Sequence, residues 1–171
     1  MGRSSAYWAG NLYSNPAEEP VPGAPLEDLP AAHGARFRAL RTGLLAIPGV
    51  VEQVRFMGAT WQWAWEYSVG NRKLCWLHVM RGGVDVTFTL SENEEGRLGK
   101  GPKVAGALAK AILEGQRTGP VKWCWLDLDD KRAVDAFLTL ARRKAGWLTE
   151  RPALRRAPRS GGNASDEIEA D

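Results

Sequence analysis

The chain has 171 residues, 44% of them hydrophobic and 25% charged, with a formal charge of +3. That composition suits one globular domain with a sizeable core plus some tail, and excludes a chain disordered throughout. The cations form no basic run of the kind a nucleic-acid domain shows, and eight tryptophans are the outlier.

Residues 1–32 read as an irregular N-terminal segment. Asn15 to Pro30 carries five prolines and four carboxylates, which favours an extended, solvated linker. Ahead of it, Tyr7, Trp8, Leu12 and Tyr13 are apolar enough to dock across a sheet. A helix is expected from Ala35 to Ile47, with Phe37, Leu40, Leu44 and Ile47 as its inner stripe. Pro48-Gly49 ends it. Val50 to Met57 reads as an edge strand or connector.

Thr60 to Ser91 is the organising stretch, TWQWAWEYSVGNRKLCWLHVMRGGVDVTFTLS. Trp61, Trp63, Trp65 and Tyr67 share one parity, so on a strand they share one face. Gly70-Asn71 and Gly82-Gly83 read as two-residue hairpin turns. Uninterrupted ladders from those turns set Tyr67 opposite Leu74, Trp65 opposite Trp76 and Trp63 opposite His78. They also set Met80 opposite Asp85, His78 opposite Thr87 and Trp76 opposite Thr89. One face then gathers Trp61, Trp63, Trp65, Tyr67, Trp76, His78, Met80, Asp85, Thr87 and Thr89. The other gathers Ala64, Cys75, Leu77, Val79, Val86, Phe88 and Leu90. Glu66 falls near the edge, where Arg72 or Lys73 would pair with it.

Glu92 to Pro102 reads as a charged, Gly-rich loop, and Lys103 to Gln116 as a helix. Val121 to Leu128 is a further strand, with Trp123, Trp125 and Asp127 on one parity and Cys124 and Leu126 on the other. A last helix starts near Asp129 or Asp130, either of which suits an N-cap. Its stripe is Val134, Phe137, Leu138 and Ala141. From residue 150 onward the composition suits a disordered tail. The expected architecture is α+β: residues 33–149 form one domain, an antiparallel sheet of four to five strands with helices packed on its aliphatic face.

Three pieces carry a resemblance: Trp61 to Tyr67, then Gly70-Asn71-Arg72-Lys73-Leu74-Cys75-Trp76, then Trp123-Cys124-Trp125-Leu126-Asp127-Leu128. In these the chain resembles a family of small bacterial proteins known as domain of unknown function thirty-seven eighty-eight. The likeness runs from about Phe37 to Ala145. It implies the α+β fold and brings no catalytic residue. This chain departs from the pattern by extra tryptophans.

The functional expectation rests on the aromatic face. Indole faces attract cations and stack on flat rings, at roughly 0.5–2 kcal/mol per good contact. The leading reading is a small-molecule-binding protein. Its pocket for a flat or cationic apolar ligand would be lined by Trp61, Trp63, Trp65, Tyr67, Trp76, Thr87, Thr89, Trp123, Trp125 and Asp127. An alternative places a cofactor-free enzyme in the same pocket, with His78 and Asp85 as acid and base. A third uses the row as a homodimer seam, since large apolar patches rarely stay bare. The bland reading is a face covered by residues 1–14. Two aspartates on the face and few cations argue against nucleic acid.

No metal or cofactor is expected. Cys75 and Cys124 point to the aliphatic side, away from His78, and form no Cys-x-x-Cys. No apolar run reaches membrane-spanning length, and the first residues lack the apolar core of a signal peptide. The expected compartment is the cytoplasm.

Overall fold

A computed structural model describes residues 2–150 of the chain. The expected disordered tail, apart from Glu150, lies outside the described residues. Among them are six strands in one antiparallel sheet, ordered β1-β2-β3-β4-β6-β5. The strands are β1 (Val50–Phe56), β2 (Trp63–Val69), β3 (Arg72–Met80), β4 (Gly83–Ser91), β5 (Gln116–Thr118) and β6 (Val121–Asp127). The helices are α1 (Ser5–Trp8), α2 (Pro25–Asp28), α3 (Ala31–Leu45), α4 (Glu92–Lys100), α5 (Gly106–Leu113) and α6 (Lys131–Thr149). The fold is α+β with an antiparallel sheet, and the expectation of four to five strands falls short of six. The short β5, paired with β6 at the sheet's edge, lies where the end of a helix was expected.

The main core forms between the sheet and the long helices. Phe37, Leu40 and Leu44 of α3 and Val134, Phe137, Leu138 and Ala141 of α6 pack on Cys75, Leu77, Val79, Val86, Phe88, Leu90, Cys124 and Leu126. The expected stripes are therefore the ones that bury. The two helices approach closely: a Cβ added at Gly43 would lie 2.6 Å from Leu138 Cδ1, so only glycine fits there without a shift. Asp130 caps α6 by accepting from the Ala133 amide at 2.8 Å. The segment expected as a charged loop is instead α4. Ser91 and Glu94 close a reciprocal capping box there, which nucleates a helix despite its glycines.

The decisive departure lies between β2 and β3. The turn itself is where the sequence places it: Val69 pairs with Arg72 across Gly70-Asn71, and Gly70 takes a φ of +59°. Ser68 then pairs with Lys73, but Tyr67 pairs with Cys75. Leu74 is an extra residue, a bulge, and both Leu74 and Cys75 join the helix-side core. A shift of one residue exchanges the faces. Trp65 now stands opposite Leu77, and Glu66 opposite Trp76. Trp63, Trp65 and Tyr67 thus face the helices, not the side carrying Trp76. Trp65 and Tyr67 are wholly buried in that core, with Phe37 edge-on to Trp65 at 5.7 Å.

The next hairpin turns at Arg81-Gly82, not Gly82-Gly83, because Met80 pairs with Gly83. That changes partners by two residues, so the parity survives. His78 stands opposite Asp85, and Trp76 opposite Thr87.

Candidate functional site

The first residues of the chain cover the second face of the sheet at its His78–Arg81 end. Leu12 donates its amide to Val79 O at 2.9 Å, Arg81 donates to Gly10 O at 2.8 Å, and Asn11 bridges to Met80. The Asn11 amide group donates to Trp61 O at 2.8 Å and Trp63 O at 3.1 Å, fastening the arm to the approach of β2. Past this point the arm crosses to the helix side. Tyr13 packs on Trp65, Trp63 Nε1 donates to Asn15 O, and Trp65 Nε1 donates to Pro22 O. The stretch expected to be a solvated linker is thus the hydrogen-bonded partner of two indoles. Asn15 and Pro22 serve through backbone carbonyls, for which side-chain pattern gives no signal.

Beneath the arm lies an aromatic group assembled from four segments. Trp8 of α1 is 2% exposed and meets His78 at 4.6 Å and Trp61 at 5.6 Å between ring centres. Trp61 also contacts His78 at 5.0 Å, Trp76 at 5.7 Å and Trp123 at 6.1 Å. Trp76 and Trp123 stack at 5.8 Å with 24° between planes. Trp61 reaches this face although Trp63 does not. Between them Gln62 takes a φ of +62°, a left-handed turn that breaks the strand's alternation.

Glu66 fills the floor beside Trp76. It accepts from Lys73 Nζ at 2.6 Å, Trp76 Nε1 at 2.9 Å and Arg55 Nη1 at 3.2 Å. Burial works against its charged form, but the hydrogen bonds from Lys73, Trp76 and Arg55 outweigh that and hold the carboxyl below its usual range.

Farther along the same face, polar groups are buried with fewer partners. His78 is fully buried, with Nε2 2.8 Å from Thr87 Oγ1 and no partner at Nδ1. Asp85 is 4% exposed, and neither carboxyl oxygen has a hydrogen-bond partner within the protein. Trp125 Nε1 is likewise buried without one. Burial pushes Asp85 well above the usual carboxyl range; Arg3 opposes this, and Asp127 and Asp129 add to it. Burial, reinforced by Arg3, pushes His78 down to about 3. The imidazole is therefore neutral at pH 7, and burial works against the charged form of the carboxyl.

Two clefts open beside this cluster. One, of about 320 Å³, is lined by Tyr7, Gly10, Met80, Gly82, Gly83, Val84, Asp85, Asp127 and Asp129. The other, also about 320 Å³, is lined by Arg3, Trp125, Asp127 and Asp129 together with residues of α5. Arg3 stands at their boundary. Its Nη2 lies 2.5 Å from Asp127 Oδ1, and its guanidinium carbon sits 4.4 Å from the Tyr7 ring centre.

Of the residues expected to line one pocket, Trp61, Trp76, Thr87, Thr89, Trp123, Trp125 and Asp127 share this face with His78 and Asp85. Trp63, Trp65 and Tyr67 are corrected to the opposite side by the Leu74 bulge. Cys75 and Cys124 are buried free thiols on the helix side, as their parity requires. Arg3, Asn11 and Asp129 carried no signal for this site in the sequence. Among the described residues no three His, Cys, Asp or Glu side chains are grouped to hold a metal ion, and no helix is long and apolar enough to cross a membrane. No protein-family pattern matches the chain, and no curated protein is significantly similar to it.

Proposed function

We propose that this is a small-molecule-binding protein, acting in the cytoplasm, which takes a flat or cationic apolar ligand in the cleft between the N-terminal arm and the end of the sheet. One observation carries the reading: Asp85 is buried at the cleft wall with both oxygens unmatched. A buried polar group left without a partner costs about 1–3 kcal/mol. A fold tolerates such a cost most readily where a ligand's donor supplies the missing bond. Tyr7 offers a ring face to the same cleft, and Asp127 and Asp129 give it negative charge. The likeness to domain of unknown function thirty-seven eighty-eight brings a fold and no reaction, so the reading rests on the cleft.

The other two readings draw less support. As a general base, His78 would need access to a substrate, yet Trp8 and Trp61 cover its ring and Thr87 engages Nε2. A homodimer seam loses its main motive, because the arm already covers much of the aromatic face.

Indole and backbone N–H resonances test the proposal directly. Addition of aromatic and quaternary-amine compounds to the whole chain is expected to shift the Trp8 indole, edge-on to Tyr7 of the cleft, and the Gly82 and Gly83 amides saturably, and to raise the melting temperature. Asp85→Asn is expected to weaken the response to the cationic members about tenfold. A panel that moves neither signal overturns the reading.

A further inference from the structure

Arg3 is a cation held against the site by the chain itself. Its guanidinium is seated on a ring face and a carboxylate at once, over Tyr7 and on Asp127 Oδ1. That is the geometry in which a planar guanidinium is recognised: stacking through its face, donating through its edge. The seat is larger than this occupant uses. Asp85 lines the same cleft with both of its buried oxygens unpartnered, and Asp129 lines both clefts. The occupant is itself unsatisfied, since Arg3 Nε is buried without a partner.

We propose that the cleft of Tyr7, Asp85, Asp127 and Asp129 is a receptor for the guanidinium group of a small molecule, and that Arg3 is its built-in competitor. The proposal rests on the small-molecule reading above and names its ligand class. An alkylguanidinium ligand has five donors on one plane. It can meet Asp127 and Asp85 together while lying on Tyr7, which Arg3, tethered by its backbone to a bonded arm, does not do. The cleft's volume of about 320 Å³ accommodates a short alkyl body on such a head. An alkylammonium is the weaker fit, being a compact charge with no plane to stack. The short tether makes Arg3 an intramolecular rival, present at an effective concentration on the order of millimolar. The ligand must displace it, so the protein's own arm sets a threshold on occupancy.

Calorimetric titration of the full chain with agmatine, and with putrescine, in which a second ammonium stands in place of the guanidinium, tests this. Arg3→Ala is expected to tighten agmatine binding about tenfold by removing the rival. Asp85→Asn, matched in shape, is expected to weaken agmatine about tenfold in both the wild-type and the Arg3→Ala background, with the melting temperature kept. Should Asp85→Asn lower the melting temperature, Asp127→Asn in the Arg3→Ala background serves instead, with the same expectation. Agmatine affinity unchanged or lowered by Arg3→Ala overturns the competitor, and equal binding of putrescine overturns the guanidinium class. If agmatine binds no variant while aromatic or quaternary-amine compounds still shift the Gly82 and Gly83 amides, this inference falls and the small-molecule reading stands. If nothing binds, both fall.

Discussion

His78 and Asp85 stand directly opposite each other on β3 and β4, and neither completes the other's hydrogen bonds. His78 engages Thr87 through Nε2, two pairs farther along the ladder, and Asp85 leaves both oxygens unmatched. Burial raises the carboxyl and lowers the imidazole, so desolvation works against the charged form of each. An ion pair in this place would need two charges desolvated under Trp8, a cost of several kcal/mol per ion. The arrangement supplies binding groups more readily than an acid and base.

The buried imidazole predicts an acid-sensitive fold. Unfolded, His78 takes up a proton near pH 6.5; folded, not until about 3. Between these values the unfolded state binds more protons. The His78 contribution is thus complete above about pH 6.5 and is lost as pH falls toward 3, at up to about 1.4 kcal/mol per pH unit. Asp85 runs the other way, since its raised value gives stability that is present at low pH and lost as pH rises. The groups facing this pair are Arg3, Asp127 and Asp129, together with the Thr87 hydroxyl. Urea unfolding at pH 7, 5.5 and 4.5 should show His78→Gln losing less stability on acidification than the wild type. Parallel losses in the two proteins would show that His78 does not titrate as argued.

Trp8 predicts what holds the arm. Replacing a buried Trp with Ala costs about 3–5 kcal/mol in a core. Here the loss falls on a segment fastened by few other bonds, so Trp8→Ala should release the arm before the sheet. Tryptophan emission should shift to the red as Trp61 and Trp123 meet water. The Arg81 amide, bonded to Gly10 O, should lose its protection from hydrogen exchange, while amides between β3 and β4 keep theirs. An Arg81 amide that stays protected would mean that Asn11 and the backbone bridges suffice.

Glu66 predicts a difference between two substitutions. Glu66→Ala leaves the buried Trp76 Nε1–H without an acceptor, at about 1–3 kcal/mol. Glu66→Gln keeps an acceptor and gives up the charge, to which Lys73 and Arg55 contribute from partly exposed positions. Chemical denaturation at pH 7 should rank the wild type above Gln and Gln above Ala. Because the folded carboxyl titrates below its unfolded value, its contribution is present above that value and fades as pH drops, and both variants should lack that component. Equal stability of Ala and Gln would remove the indole bond from the argument.

Much of this fold is written in local signals. Phe37, Leu40 and Leu44, and Val134, Phe137, Leu138 and Ala141, announce helices and the sides that bury, because a period near 3.6 puts them on one stripe. Gly70-Asn71 announces a hairpin. The parity of β3, β4 and β6 correctly groups Trp76, His78, Asp85, Thr87, Thr89, Trp123, Trp125 and Asp127. The capping box Ser91-Glu-Asn-Glu94 was also legible, although the glycines that follow suggest a loop. In β2 the large residues alternate with Ala64, Glu66 and Ser68, a pattern equally suited to burying the aromatics under helices, and that is what happens.

The sequence alone determined which side chains within each strand travel together, since a two-residue period is a property of the backbone. Which strand's apolar side joins which layer was decided only in three dimensions. One extra residue at Leu74 reverses the match between β2 and β3, and one left-handed residue at Gln62 returns Trp61 to the face that Trp63 has left. Neither event has a side-chain signature. Each is selected by how the whole sheet packs against α3 and α6 on one side and the N-terminal arm on the other, and that balance is summed over contacts far apart in the chain.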